Sequence, residues 1–112
     1  ARHLLVSFSG RAFGFIDEAI AALGQQRRIV LTVNQFFTAC EVVANSDLLT
    51  VVPRHFLKVS GIAAELAWRE LPFEAPRVRV DALWHRRSAH DSAHQWLRQT
   101  VAQAARQVFG DA

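Results

Sequence analysis

Histidines near the C-terminus have the spacing that comes nearest to a metal site. His90 and His94 are four residues apart, which on a helix places two ligands on one face, and His85 and Asp91 could complete a set. Asp91, however, fits a helix N-cap, so His90 would precede the helix and the two rings would not share its face. We therefore predict no metal, and we interpret these residues as solvated polar groups at a helix start. A small enzyme that uses this histidine cluster remains a distant alternative.

Other catalytic chemistry has little support in the sequence. Gly10 and Gly14 flank no serine nucleophile, and neither a phosphate-binding loop nor a dinucleotide fingerprint is present. The single cysteine, Cys40, lies on an apolar helical stripe with Phe36 and Val43, where a thiol is usually an inert part of the core. One cysteine allows no internal disulfide, which fits a reducing compartment. The sequence thus predicts neither an enzyme nor a cofactor.

The composition indicates one folded domain or a piece of a larger one. The chain has 112 residues, of which 51% are hydrophobic and 21% charged. It contains twelve arginines and one lysine, but no basic run is longer than two residues, so we expect no direct nucleic-acid binding by this stretch. No apolar run approaches the roughly 20 residues of a membrane span. The lack of methionine suggests a processed product or an excised fragment.

Strand and helix patterns alternate along the whole chain, and they must position any site. We predict strands at 3–9, 28–33, 47–52 and 77–85, and helices at 15–24, 36–44, 54–68 and 91–109. In the fourth strand, Val78, Val80, Ala82 and Trp84 share one face. This alternation predicts parallel pairing in an open α/β sheet with helices on both faces. Ligands of such sheets bind beyond the carboxyl ends of the strands.

Several segments, in this order, give the chain a resemblance to a known family. They are HLLVS, FIDEAIAALG, RRIVLTVNQF, SDLLTVVPRHF, LPFEAP and VDALWHRRSAHDSAHQWLRQ, and the resemblance that they carry extends over essentially all 112 residues. The chain resembles the C-terminal part of the effector-binding domain of LysR-type transcriptional regulators. The resemblance implies an α/β fold of two subdomains, similar to type 2 periplasmic binding proteins, with a small-molecule cleft between them.

The resemblance also implies how the chain is divided. Residues 1–78 resemble the second effector-binding subdomain, and residues 79–112 resemble the strand and helix that return to the first subdomain. The family's N-terminal helix-turn-helix is absent here, so DNA would be bound only by a segment outside this chain. The same likeness points to a cytoplasmic bacterial protein that is oligomeric.

The resemblance places candidate ligand-binding residues at the corners where strands end. They are Ser7, Ser9, Asn34, Phe36, Phe37, Thr50, Val52 and Trp84. An amide that donates and accepts hydrogen bonds beside aromatic walls suits an aromatic or other organic acid. Each residue also has a structural interpretation: a cap for Asn34, a core pair for Phe36 and Phe37, strand core for Thr50 and Val52, a turn for Ser7 and Ser9, and core packing for Trp84.

The resulting hypothesis is a small-molecule effector-binding portion of a DNA-binding regulator. The alternative is a periplasmic-type solute-binding module with no role in transcription. An upstream helix-turn-helix would favour the regulator, whereas an upstream secretion signal would favour the solute-binding module. We also expect exposed apolar surface on the last helix, at Trp96 and Leu97, to cause self-association.

Overall fold

The computed structural model describes residues 1–77 and 79–110, which belong to two compact units divided between Arg77 and Val78. The helices and strands are β1 (Arg2–Val6), α1 (Phe15–Ala22), β2 (Arg28–Val33), α2 (Phe36–Ala44), α3 (Arg54–Val59) and α4 (Ser92–Phe109). Short 3-10 helices lie at Ala63–Glu65 and Arg86–Ser88. The predicted bounds of β2 and α2 are confirmed. Among the described helices, none has the length and apolar character needed to cross a bilayer.

The sheet of the first unit is parallel, as predicted. β1 pairs with β2 in a register that joins His3 to Ile29 and Leu4 to Leu31, so that Val30 is an extra residue in β2. On the other side of β1, His3 forms a single parallel bridge with Leu49. The sheet order of the described residues is therefore β2, β1 and then the Leu49 segment, which we define as residues 47–50.

The predicted third strand, 47–52, is reduced to that bridge. The Leu4 N–H donates to the Leu49 carbonyl at 2.7 Å, and the Leu49 N–H donates to the Arg2 carbonyl at 3.1 Å. The Leu4 carbonyl then accepts the Thr50 hydroxyl at 2.9 Å. Because a side chain occupies the acceptor that a continuing ladder would use, backbone pairing stops after Leu49.

The core of the first unit surrounds β1. Leu4 and Leu5 are 0% and 4% exposed, and because neighbouring strand residues point to opposite sides, both faces of β1 are covered. The other buried apolar side chains come from the helices: Ile16 of α1, Ala39 and Cys40 of α2, and Leu57 of α3. The predicted burial of Cys40 is thereby confirmed.

The predicted helix at 54–68 is wrong in length, because α3 ends at Val59. Gly61 has a positive φ of 81°, which interrupts the helix in a conformation that glycine adopts readily. The Ser60 hydroxyl also donates to the Leu57 carbonyl at 2.8 Å and so occupies an acceptor at the helix end. The following residues form only the 3-10 turn.

The second unit contains a long helix but, within residues 79–110, no strand. The predicted strand at 77–85 is therefore wrong for its described part, and Val78 lies outside the described residues. Val80 and Trp84, which belong to the predicted apolar face, are 86% and 48% exposed, so no partner sheet among the described residues covers that face. The predicted start of α4 is confirmed, because the Asp91 carboxylate accepts the Ala93 N–H at 3.0 Å as an N-cap.

Candidate functional site

Four phenylalanines meet beyond the carboxyl ends of β1 and β2, and we call them the aromatic row. Phe8 follows β1, Phe36 and Phe37 begin α2, and Phe56 lies on α3. The ring centroids of Phe8 and Phe36 are 6.0 Å apart, those of Phe36 and Phe56 are 5.4 Å apart, and those of Phe37 and Phe56 are 4.6 Å apart. The structure thus joins the predicted pair, Phe36 and Phe37, to two rings that the sequence analysis missed.

The aromatic row has a packed inner part and an exposed outer part. Phe36 and Phe56 are half-buried, whereas Phe8 and Phe37 are 78% and 55% exposed. The pairs Phe8–Phe36 and Phe37–Phe56 are edge-to-face, an arrangement that stabilises by about 0.5–1.5 kcal/mol beyond the area buried, so each outer ring is held against an inner one. The exposed rings leave apolar surface at the end of the sheet where parallel α/β folds bind ligands.

The two predicted serines lie beside each other at the end of β1. Their hydroxyl oxygens are 3.3 Å apart, and Ser7 is buried while Ser9 is exposed. The Arg11 N–H donates to the Ser9 hydroxyl oxygen at 3.4 Å, a weak contact of the kind found in serine turns. Ser9 therefore has the structural role that the turn interpretation gave it, and its hydroxyl still lies at the surface.

Asn34 is exposed at the end of β2, and it does not cap α2 as its structural interpretation suggested. The N-cap of α2 is Gln35, whose side chain makes no capping hydrogen bond. Within the described residues the Asn34 side chain has no hydrogen-bond partner, so its amide is available at the surface. By contrast, the Thr50 hydroxyl is engaged with the Leu4 carbonyl, and Val52 is half-buried. Asn34 is thus the candidate polar residue with the most freedom to contact a ligand.

Trp84 belongs to the second unit, where it contacts an arginine that the sequence analysis did not single out. The Arg98 guanidinium carbon lies 4.5 Å from the Trp84 ring centroid. Arg98 also donates to the carbonyls of Ser88 and Ala89, at 3.1 and 2.9 Å. Trp84 remains 48% exposed, so it is not the core residue that its predicted strand implied. A ligand on this ring would share it with Arg98.

His90 and His94 lie on either side of the start of α4 and do not form a ligand pair. His90 precedes the Asp91 cap, and His94 lies on the helix with its Nδ1 atom 2.6 Å from an Arg98 nitrogen. Throughout residues 1–77 and 79–110, no group of three histidine, cysteine, aspartate or glutamate side chains is arranged to hold a metal ion. The geometry of this segment is that of a capped helix start.

A buried ion pair lies away from the aromatic row, between α1 and the turn before β2. The Asp17 carboxylate accepts Arg27 Nε at 2.6 Å, a second Arg27 nitrogen at 2.9 Å and the Gly14 N–H at 2.7 Å. Both charged side chains are less than 10% exposed. The Arg27 hydrogen bonds lower the pKa of Asp17 against the opposing effect of burial, with help from Gly14.

Cys40 has the environment of an inert thiol. Its residue is 1% exposed within the first unit. Burial raises the pKa of the thiol, and the neighbouring Glu41 carboxylate raises it further. A thiol held protonated in this way is a poor nucleophile, which agrees with its interpretation as a core residue.

Comparison with known proteins identifies the family. The LysR substrate binding domain model matches residues 1–106. The chain is 30% identical over 105 residues to the HTH-type transcriptional regulator SyrM 1 of Sinorhizobium fredii, covering 93% of this chain and 31% of that protein. It is 32% identical over 105 residues to SyrM of Rhizobium meliloti, with 93% and 32% covered. The chain therefore spans about a third of the length of these relatives.

A solved structure supports the same assignment. The regulatory domain of MexT, a transcriptional activator in Pseudomonas aeruginosa, superposes with a TM-score of 0.71 at 31% identity, covering 91% of this chain and 51% of that one. The predicted α/β fold class is confirmed by this likeness, as part of a regulatory domain. The relatives are named transcriptional regulators, which favours the regulator over the solute-binding alternative. The chain belongs to the LysR family of transcriptional regulators, as a substrate-binding domain.

Proposed function

We propose that this domain binds a small-molecule effector carrying an aromatic ring at the aromatic row, and has no catalytic step of its own. The observation that carries the proposal is the exposed surface of Phe8 and Phe37, backed by two half-buried rings. Exposed aromatic surface of this kind favours a planar ring over a flexible polar molecule.

Polar groups beside the row would orient the ligand. The Asn34 amide can donate to a carboxylate, and the surface hydroxyl of Ser9 lies next to that of Ser7. In this scheme Thr50 and Val52 support the corner, since the Thr50 hydroxyl is engaged with β1. An aromatic acid would satisfy both the rings and the donors.

We place the binding site within a longer cytoplasmic regulator that contacts DNA through a helix-turn-helix outside this chain. The HTH-type names of the relatives, of which the chain spans about a third, support this arrangement. We further propose that residues 1–78 form the second subdomain and that 79–112 return to the first. Compact units divided between Arg77 and Val78 support that division. The effector would act by binding one arrangement of subdomains better than another.

The effector proposal predicts that Phe37→Ala weakens binding of an aromatic acid by roughly three- to tenfold, because one ring contact is lost. Ligands would first be found by a thermal-shift screen of aromatic and aliphatic carboxylic acids on the full-length protein. Calorimetric titration would then compare the variants. Phe13→Ala is the matched control, since both phenylalanines are 55% exposed and Phe13 has no ring partner among the described residues.

Two results would contradict the proposed site. One is a screen in which only aliphatic acids shift the melting temperature. The other is an aromatic ligand whose affinity falls equally in Phe37→Ala and Phe13→Ala, since that would place binding away from the aromatic row.

We also propose that α4 mediates association between copies of the regulator. Ala93, Leu97, Val101, Ala104 and Val108 recur at helical spacing along one stripe. Leu97 and Val101 are more than half exposed, and Val108 is 48% exposed. A stripe of this length on an 18-residue helix suits packing against the same stripe of a second copy.

The association proposal predicts that Leu97→Asp weakens the dimer by roughly tenfold or more, because a carboxylate would be buried without a partner. Analytical ultracentrifugation over a concentration series would measure the dissociation constant. Gln99→Asp is the control: it adds the same charge about 200° around the helix from Leu97. Equal effects of the two variants would exclude the stripe as the contact surface.

A further inference from the structure

We propose that the first unit has a second ligand site, an open cleft that binds a small organic anion through a carboxylate or phosphate group. We call it the basic cleft. It lies at the amino ends of β1 and β2, whereas the aromatic row lies beyond their carboxyl ends. No residue of the aromatic row lines it, so anion binding here is separate from effector binding there.

The basic cleft has a volume of about 510 Å³ and a wall rich in arginine. Arg2 begins β1, Arg28 begins β2 and Arg27 lies just before β2, and all three line the cleft. Among the described residues, no aspartate or glutamate lines it. Gln26 and Ile20 of α1 add an amide and an apolar side chain to the wall. Because ligand pockets span about 300–1,000 Å³, the cleft has room for an organic molecule that carries the anionic group.

Two of these arginines are held from outside the cleft and still have donors to offer. The Asp17 carboxylate accepts from Nε and Nη2 of Arg27, which fixes the plane of that guanidinium. Nη1 of Arg27 makes none of the described hydrogen bonds and is not closed off from solvent. Asp47 accepts only from Nη2 of Arg2, at 2.6 and 2.7 Å, so two nitrogens of Arg2 also remain. Each ion pair thus positions its arginine and leaves N–H groups for a ligand.

Arg28 contributes a charge without a counter-charge. It is exposed and makes none of the ion pairs among the described residues. In the parallel register it is paired with Arg2, so two cationic residues begin neighbouring strands that are about 5 Å apart. Like charges placed opposite each other on neighbouring strands repel. Since Asp17 and Asp47 offset only two of the three guanidinium groups, one positive charge is in excess, and a bound anion would relieve the repulsion.

The donors of the basic cleft select an oxyanion. A guanidinium group binds a carboxylate or a phosphate through two parallel hydrogen bonds, and Arg28 has all of its donors free for this. Nη1 of Arg27, which Asp17 holds in place, donates to a further oxygen of the anion. Ile20 contacts the carbon skeleton of the ligand. A cation finds no carboxylate in this wall and is excluded.

The test is calorimetric titration of the full-length protein with inorganic phosphate and with citrate, at an ionic strength held constant with sodium chloride. Phosphate represents a phosphoryl group, and citrate represents carboxylates. We expect saturable binding of at least one probe, and the probe that binds identifies the group that the cleft prefers. Failure of both probes to bind would overturn the proposal.

Arg28→Gln should weaken that binding by about tenfold or more, because charge-assisted hydrogen bonds are lost. Arg28→Lys should have an intermediate affinity, since it keeps the charge but not the two-pronged donor geometry. Arg69→Gln is the matched control, because Arg69 is also exposed in the first unit, makes none of the described ion pairs and does not line the cleft. Equal losses in Arg28→Gln and Arg69→Gln would assign binding to overall charge and refute the site.

Phe37→Ala separates the basic cleft from the aromatic row. This variant should bind phosphate or citrate as tightly as the wild type, and Arg28→Gln should leave the affinity for an aromatic effector unchanged. A loss of anion affinity in Phe37→Ala as large as that in Arg28→Gln would place the anion outside the basic cleft and contradict the proposal.

Discussion

Replacing Asp17 with asparagine should lower the free energy of unfolding of the first unit by about 3–5 kcal/mol, the range for breaking a buried ion pair. Asparagine keeps the shape of the side chain but leaves the Arg27 guanidinium buried without a counter-charge, and that side chain is only 6% exposed. The amide nitrogen also replaces either Oδ1, which accepts from Arg27 Nε, or Oδ2, which accepts from both a second Arg27 nitrogen and the Gly14 N–H. Urea titration followed by circular dichroism would measure the change.

The control for Asp17 is the exposed pair of Arg2 and Asp47, whose side chains are 52% and 73% exposed. Asp47→Asn should have a much smaller effect, because water screens an exposed pair. A double variant, Asp17→Leu with Arg27→Met, should be more stable than Asp17→Asn, since it leaves no buried charge unpaired. Equal destabilisation by Asp17→Asn and Asp47→Asn would show that burial of the first pair contributes nothing.

The same carboxylate gives a second signature in acid. Because Arg27 lowers the pKa of Asp17 below its ordinary 3.8, the folded state binds this proton less tightly than the unfolded state. The stabilisation is therefore complete above about pH 3.8 and is lost as pH falls through the lowered pKa. Asp17→Asn should lack this loss, so the stabilities of variant and wild type should converge in strong acid.

Leu4→Ala should destabilise the first unit by about 3–5 kcal/mol, which is typical of a fully buried leucine whose removal leaves a cavity. Leu4 is 0% exposed and lies on the central strand of the described sheet, between β2 and the Leu49 segment. The surrounding residues are anchored by backbone hydrogen bonds and have little freedom to close around the cavity. Chemical denaturation of the variant and the wild type would measure the loss.

Leu31→Ala is the matched control for Leu4→Ala, because the two leucines are paired across the strands. Leu31 is 40% exposed, so its truncation removes less buried area and leaves an opening that water can fill. We expect its effect to be less than half that of Leu4→Ala. A larger loss for Leu31→Ala would mean that the outer face of β2 is covered in the native protein.

Elements with strong local signals were predictable from the sequence. β2 is a β-branched run, and α2 has regular apolar spacing that ends at Asn45, so both have the predicted bounds. The Asp91 cap of α4 is likewise a local signal. Such elements are specified by neighbouring residues, and distant contacts change them little.

Elements that depend on distant partners were not predictable in the same way. The predicted third strand is reduced to the Leu49 bridge, because the Thr50 hydroxyl donates a hydrogen bond to the Leu4 carbonyl. The stretch around Val80 has the alternation of a strand but no pairing neighbour among the described residues. Alternation indicates which face a strand would bury, but only a partner makes the strand form.

The candidate site shows the same limit. Phe36 and Phe37 could be proposed because they follow a strand, whereas Phe56 joins them across a separation of about twenty residues that carries no sequence signal. Phe8 was overlooked because it lay within the predicted first strand, which ends earlier, at Val6. The Asp17–Arg27 pair has a similar explanation: a carboxylate in the first turn of a helix is common because it complements the helix dipole, and the partner of Asp17 is ten residues away.

The irregularity at Val30 bears on how the protein avoids aggregation. β2 has one neighbouring strand in the described sheet, so its outer edge could recruit a strand from another molecule. Val30 and Leu31 of β2 are 42% and 40% exposed, and such apolar side chains on a regular edge strand would favour association with another molecule. An extra residue of this kind increases the local twist of a strand. Because β2 also begins with the charged Arg28, its edge offers an incoming strand neither a flat nor a neutral surface. Deleting Val30 would keep the pairs on either side of it, restore a regular ladder and so remove that protection.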